Sequence, residues 1–262
     1  MIYLIFLVVC YLASVVGAIC GIGGGVIIKP VLDACGVLEV SVVSFLSGCT
    51  VLSMTTYSVV KSKMSRDSHV ESVIGIPLAL GAAAGGLFGK WLFSYILALS
   101  SDKNKIGAVQ AGCLLVVTVG TLIYTLYKEQ IRTCHVRNSL GCIAIGIFLG
   151  ILSSFLGIGG GPINLVVLFY FFSMTTKEAA ENSLYIIFFS QLASLVSSIV
   201  SSSVPEFEAG VLVLMVSGGI AGGICGRALN KKLDEKMVDR LFIGLMILMI
   251  LINIYNIGKF MR

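Results

Sequence analysis

The chain has 262 residues, of which 57% are hydrophobic and only 12% charged, and its mean hydropathy is +1.03. A soluble globular domain typically carries about 25% charged residues, so that class is excluded. The net charge of +5 comes from basic residues scattered over short connections. This is no nucleic-acid footprint; it fits the charge bias of loops that flank membrane spans.

Apolar runs cover residues 2–19, 40–60, 73–98, 106–127, 139–156, 180–200, 210–229 and 238–257. Each is close to the ~20 residues that cross a ~30 Å hydrocarbon layer. Residues 1–3 supply no basic n-region and no A-x-A-like site follows, so the first run reads as a retained span. It ends in Gly21-Ile22-Gly23-Gly24-Gly25. Consecutive glycines break a helix, at about 1 kcal/mol each relative to alanine. Unwound backbone at membrane depth is tolerated only inside protein or along a wet cavity.

A short helix is expected next, over residues 26–32, with unpaired N–H groups and roughly half a positive charge at its start. Lys29 within it is expected to snorkel to the interface; the alternative is a counter-charge for an anion. Ser47, Thr50 and Ser53 follow in the second run, and Gly81, Gly85 and Gly89 form a four-residue ladder in the third. Such ladders permit close helix packing. A basic linker over residues 128–138 then separates the first part of the chain, 1–127, from the second, 139–262.

The second part repeats the first. Gly157-Ile158-Gly159-Gly160-Gly161 restores the pentapeptide 136 positions later, and at the same offset Ser47 falls on Ser183 and Ser58 on Ser194. One residue out of register, the ladder returns as Gly218, Gly222 and Gly226, and Lys90 falls on Arg227. Both basic residues are expected to anchor helix ends, with entrance attraction as the alternative. Pro162 opens the second short helix, expected over 162–171, where its missing N–H costs nothing. Asn164 lies within that helix, and Asn182, Ser183 and Gln191 lie in the run beyond it.

The halves can run parallel, with eight full crossings, or inverted, with each glycine break at the tip of a helical hairpin followed by three transmembrane helices. In the inverted arrangement one side collects Lys61, Lys63, Arg66, Lys128, Arg132, Arg137, Lys177, Arg227, Lys231, Lys232, Lys236 and Arg240, which is 12 of 18 basic residues. Eight full crossings divide them almost evenly. Positive-inside bias therefore favours inverted halves with both Met1 and Arg262 outside. The expected fold is an all-α integral membrane protein of two homologous, inverted halves.

Paired glycine breaks in corresponding halves point to a transporter's binding site. Bare backbone lets a ligand approach closely, and helix N-termini favour an anion. The candidate substrate contacts are Gly21, Gly23, Gly24, Gly25, Gly157, Gly159, Gly160 and Gly161, together with Ser47, Thr50, Asn164, Asn182, Ser183 and Gln191. A dinucleotide fingerprint lacks its third glycine, since Val26 and Pro162 occupy that position, and a P-loop lacks its Lys-Ser or Lys-Thr. Eight cysteines form no C-x-x-C pair, and His69 and His135 fall in basic loops. No metal site, cofactor site or covalent catalytic arrangement is expected. Intramembrane carboxylates are nearly absent, with Glu39, Glu178 and Glu181 at span entrances, so proton coupling is not expected.

The two G-x-G-G-G copies, Pro30 and Pro162 downstream of them, and the stretches Val43-Ser44-Phe45-Leu46-Ser47 and Ala179-Ala180-Glu181-Asn182-Ser183 resemble the TauE/SafE family of sulfite and organosulfonate exporters. The resemblance covers essentially the whole chain. It implies a multi-pass permease of the cell membrane for sulfur-containing anions such as sulfite, sulfonates or sulfoacetate. Alternative readings are an intramembrane thiol enzyme using Cys20 or Cys225, and a non-transporting assembly subunit whose ladders make homo-oligomer contacts.

Overall fold

A computed structural model describes residues 2–64, 72–99, 103–158 and 160–260. Gly159 of the second motif lies outside the described residues, as do Met1, Arg66, His69 and Arg262. The described elements are helical, in the order α1 (Ile2–Cys20), α2 (Gly25–Cys35), α3 (Val40–Met64), α4 (Ser72–Leu99), α5 (Lys103–Tyr127), α6 (Ser139–Leu156), α7 (Pro162–Phe172), α8 (Thr176–Val200), α9 (Ala209–Asn230) and α10 (Glu235–Phe260). A short 3-10 turn, Lys128–Gln130, follows α5. Eight of the ten α-helices are long and apolar enough to cross a membrane. The exceptions, α2 and α7, have 11 residues each, about 16 Å of helix and half the hydrocarbon thickness.

Local chemistry sets these short lengths. Each begins at a glycine motif and stops at a left-handed residue, Gly36 (φ 66°) after α2 and Ser173 (φ 55°) after α7. The N–H groups of those residues donate to Leu32 and Phe169 carbonyls, both at 3.1 Å. The Ser173 hydroxyl is tied to the linker, donating to the Cys134 carbonyl and bonding to the Thr133 hydroxyl. Glu178, expected merely at a span entrance, closes a capping box with Thr175 at the start of α8, satisfying two otherwise orphaned donors.

The glycine ladders are consumed inside the chain. A Cβ on Gly81, Gly85 or Gly89 would fall within 3.0 Å of the Ile143, Ile147 and Ile151 carbonyl oxygens of α6. One on Gly218, Gly222 or Gly226 would do the same to Leu7, Tyr11 and Val15 of α1. The two sets of carbonyls are themselves 136 residues apart. Each half thus lays its ladder on the other half's first helix, at repeat-related positions. These faces are occupied and present no free oligomer contact.

The same contacts give helix directions. Positions advance together along α1 and α9 and along α4 and α6, so each pair runs parallel. Along α3 and α9, Gly219 meets Thr50, Gly223 meets Met54, and Arg227 Nη1 donates to the Ser58 carbonyl, again parallel. With α1 and α3 running in the same sense, α2 carries the chain back between them. Along α3 and α8 the positions run oppositely, Ser62 bonding Glu181 and Gly48 facing Gln191. The largest apolar cluster joins Ile22 and Val26 from the first motif with Ile158 and Leu165 from the second. The core therefore sits where the two breaks meet.

Candidate functional site

The two glycine loops touch. A Cβ on Gly25 would collide with the Ile158 carbonyl, and one on Gly161 would lie 3.0 Å from Val26 Cγ2. Each loop also faces the other half's following helix, at repeat-related positions: Gly21 against Ala180 and Gly157 against Ser44. Left-handed or glycine-only backbone occurs at Gly21 (φ 72°), Gly23 (71°), Gly157 (66°), Gly160 (118°) and Gly161 (126°). Gly24 differs, with φ −67°. Glycine there serves space, since its Cβ would lie 3.0 Å from Ser14 Oγ.

Neither α2 nor α7 has a side-chain cap, so their first N–H groups keep the positive end of the helix at the centre. Ser14 Oγ against Gly24 and the Asn164 amide against Gly160 have no hydrogen-bond partner among the described residues, nor do Ser47 Oγ and Ser183 Oγ, each one helical turn before the residue (Val51, Ile187) that meets Gly25 or Gly160. Ser47, Asn164 and Ser183 are fully buried. An unsatisfied buried polar group costs about 1–3 kcal/mol, so a cluster of them is a standing demand for a ligand or water. The expected contacts Ser47, Ser183 and Asn164 are in this group.

Other expected contacts are placed differently. Thr50 donates to the Leu46 carbonyl at 2.9 Å, and its methyl packs on Gly219 at the α3–α9 interface. Asn182 Nδ2 donates to the Glu178 carbonyl at 2.9 Å, so that donor is already engaged within α8. Gln191 Nε2 reaches Ser153 Oγ at 3.4 Å, and its side chain borders a polar cavity.

Lys29 does not snorkel: it is 3% exposed and pairs with Asp33 Oδ2 at 2.8 Å. Its stem passes Gly157, whose Cβ would lie 3.5 Å from Lys29 Cε. Asp33 was missed by sequence reasoning, and it overturns the near-absence of buried carboxylates. Its signal was the i, i+4 spacing from Lys29, which aligns opposite charges on one helix face. Asp33 Oδ1 has no partner among the described residues.

Two cavities flank the loops at repeat-related places. The larger, about 380 Å³, is bordered by Ala18, Ser58, Lys177, Ala180, Glu181, Leu184, Arg227, Asn230 and Lys231. The smaller, about 30 Å³, is bordered by Ser44, Phe45, Gly48, Lys90, Phe93, Gln110, Ser154, Gly157, Gln191, Ser194, Leu195 and Ser198. Directions of α4 and α9 put Lys90 and Arg227 toward opposite ends of the bundle. Cys20 is fully buried in the core, and Cys225 Sγ accepts from Tyr11 OH at 3.3 Å. His135 lies 3.4 Å from Ser173 Oγ in the linker, remote from both loops in sequence.

Comparison with known proteins agrees with this architecture. Residues 6–252 match the family described as "Sulfite exporter TauE/SafE". The chain is also similar to the "Probable membrane transporter protein YunE" of Bacillus subtilis (strain 168), 25% identical over 234 residues that cover 80% of this chain and 83% of that one. No solved structure matches. Spanning helices, paired glycine breaks and a family match over nearly the whole chain lead to one conclusion: this is a multi-pass membrane transporter belonging to the sulfite exporter TauE/SafE family.

Proposed function

We propose that the chain exports small sulfur-containing anions such as sulfite, sulfonates or sulfoacetate across the cell membrane, with the two glycine loops as the substrate cradle. The observation that carries this reading is the meeting of both loops with unpartnered polar groups close by: Asn164 against Gly160, and Ser47 and Ser183 one turn before Val51 and Ile187, which lie against Gly25 and Gly160. Helix N-termini and hydroxyl or amide donors suit an oxyanion, which needs N–H and O–H groups more than a single lysine.

The two halves are inverted, and alternating access rocks one against the other around the loops. The shared direction of α1 and α3 supports this, because two full-length helices can run the same way only if α2 returns the chain between them. The Arg227 end faces the cytoplasm, since the inverted arrangement gathers 12 of 18 basic residues there. An inside-negative potential drives anion export at about 2.3 kcal/mol per charge per 100 mV. The chain acts as a permease and not as an enzyme.

Flux from proteoliposomes against a panel of sulfite, sulfonates and carboxylates tests the reading. Sulfur oxyanions are expected to exchange faster than carboxylates, and Gly160→Val is expected to abolish flux in protein that still unfolds cooperatively. Carboxylate flux without sulfur-anion flux, or normal flux through a folded Gly160→Val variant, overturns it.

A further inference from the structure

We propose that the cavity containing Lys90 is a second anion site, a holding chamber for a small oxyanion beside the cradle. Lys90 borders it together with Ser44, Ser154, Gln110, Gln191 and Gly157. No carboxylate pairs with Lys90 among the described residues; it stands over the Phe93 ring, 5.3 Å from Nζ to the ring centre, and near the Cys49 thiol. A lysine within a membrane span and without a counter-ion is costly, and an anion in the chamber removes that cost.

The chamber wall carries its own unsatisfied groups. Ser44 Oγ, Ser154 Oγ and Gln110 Oε1 are buried and lack partners among the described residues. The hydroxyls are donors for an oxyanion. Gln110 Oε1 only accepts, and one of its two Nε2 hydrogens goes to the Phe155 carbonyl at 2.7 Å. It therefore suits a monoprotonated oxyanion, whose single O–H it takes, or orients the Lys90 ammonium. The free volume of about 30 Å³ holds roughly two or three waters, which selects a compact anion over a long-chain one.

The repeat supplies an internal control. At the other end Arg227 replaces Lys90, but Ala18 and Ala180 stand where Ser154 and Ser44 stand here. That cavity also contains a carboxylate, Glu181, where this one has Phe45. The Arg227 cavity is a wide mouth; the Lys90 cavity has the donors of a site. Its role in transport rests on the export reading, whereas its capacity to hold an anion does not.

Cysteine reactivity in an otherwise cysteine-free full-length protein tests the chamber. Ser194→Cys borders it, and the repeat-related Ser58→Cys borders the Arg227 mouth. Ser194→Cys is expected to react about tenfold faster with anionic sulfonatoethyl methanethiosulfonate than with its cationic trimethylammonium analogue, as a focused positive field requires. Lys90→Gln is expected to erase that preference and Lys90→Arg to restore it. Inorganic sulfate or methanesulfonate, at ionic strength fixed with bulky gluconate, is expected to slow labelling of Ser194→Cys and to leave Ser58→Cys unaffected. A preference indifferent to Lys90→Gln, or no protection by either anion, overturns the proposal. If these results hold while proteoliposomes show no sulfur-anion flux, the chamber stands and only the transported class is wrong.

Discussion

α2 and α7 have the same length and follow the same glycine motif, yet they carry different chemistry. α2 holds the buried Lys29–Asp33 pair; α7 has Leu165 and Phe169 at the corresponding positions, both buried and apolar. α7 offers instead the unpartnered amide of Asn164, where α2 has Ile28. Their anchoring differs as well. Side chains of α10 hold α2, Asn256 donating to the Pro30 carbonyl at 2.9 Å and Lys259 to the carbonyls of Asp33 and Ala34. Linker backbone holds α7, through Cys134 N–H to Tyr170 and Val136 N–H to Phe171. The two glycine-led helices share a frame and divide the polar work between them.

The sharpest way to break this contrast is to strand a charge. Lys29→Leu leaves Asp33 buried without its cation and is expected to destabilise the protein by about 3–5 kcal/mol. The double variant Lys29→Leu, Asp33→Phe copies α7 and is expected to recover most of that loss, because a buried ion pair is often replaceable by apolar packing. Thermal unfolding in detergent compares the two. A single variant as stable as the parent would mean that the pair is not buried in the protein as it folds.

A smaller effect separates the cradle serines from the scaffold. Ser47→Ala and Ser183→Ala are each expected to weaken oxyanion affinity by about 1–3 kcal/mol, the value of a charge-assisted hydrogen bond. The ligand-free protein should gain stability in the same variants, since an unsatisfied hydroxyl is removed. Opposite signs in calorimetry and thermal unfolding identify ligand donors; losses in both identify structural groups. The two effects are expected to be of similar size, since Asn182 beside Ser183 already donates from Nδ2 to the Glu178 carbonyl. Smallest is Asn256→Leu, which cuts the tie to the Pro30 carbonyl and is expected to cost about 1 kcal/mol, read in the same unfolding assay.

Hydropathy and glycine grammar made much of this molecule legible. Apolar runs locate the spanning helices because lipid forces every backbone group into internal bonds. The glycine motifs locate the breaks because few other residues adopt φ near 66–126° as found at Gly157, Gly160 and Gly161. What stayed hidden depended on neighbours distant in sequence. Lys29 looked like an interfacial lysine until its helix was seen to be covered by α10. Thr50 gives no sign in sequence that its face of α3 packs on Gly219 of α9. Hydropathy also treats Ser44 and Ser154 as ordinary membrane serines. Only burial without a partner sets them apart.

The reciprocal ladders bear on how the protein is made. α1 leaves the ribosome about 200 residues before the Gly218–Gly226 face it rests on, a wait of roughly 10–40 s at ordinary synthesis rates. During that interval the carbonyl face of α1 has no mate from its own half, and α4 likewise awaits α6. Insertion and assembly are therefore separate events, with the closing step reserved for the last helices synthesised. A nascent chain truncated before α9 contains every element of the first glycine loop and lacks the surface that locks it.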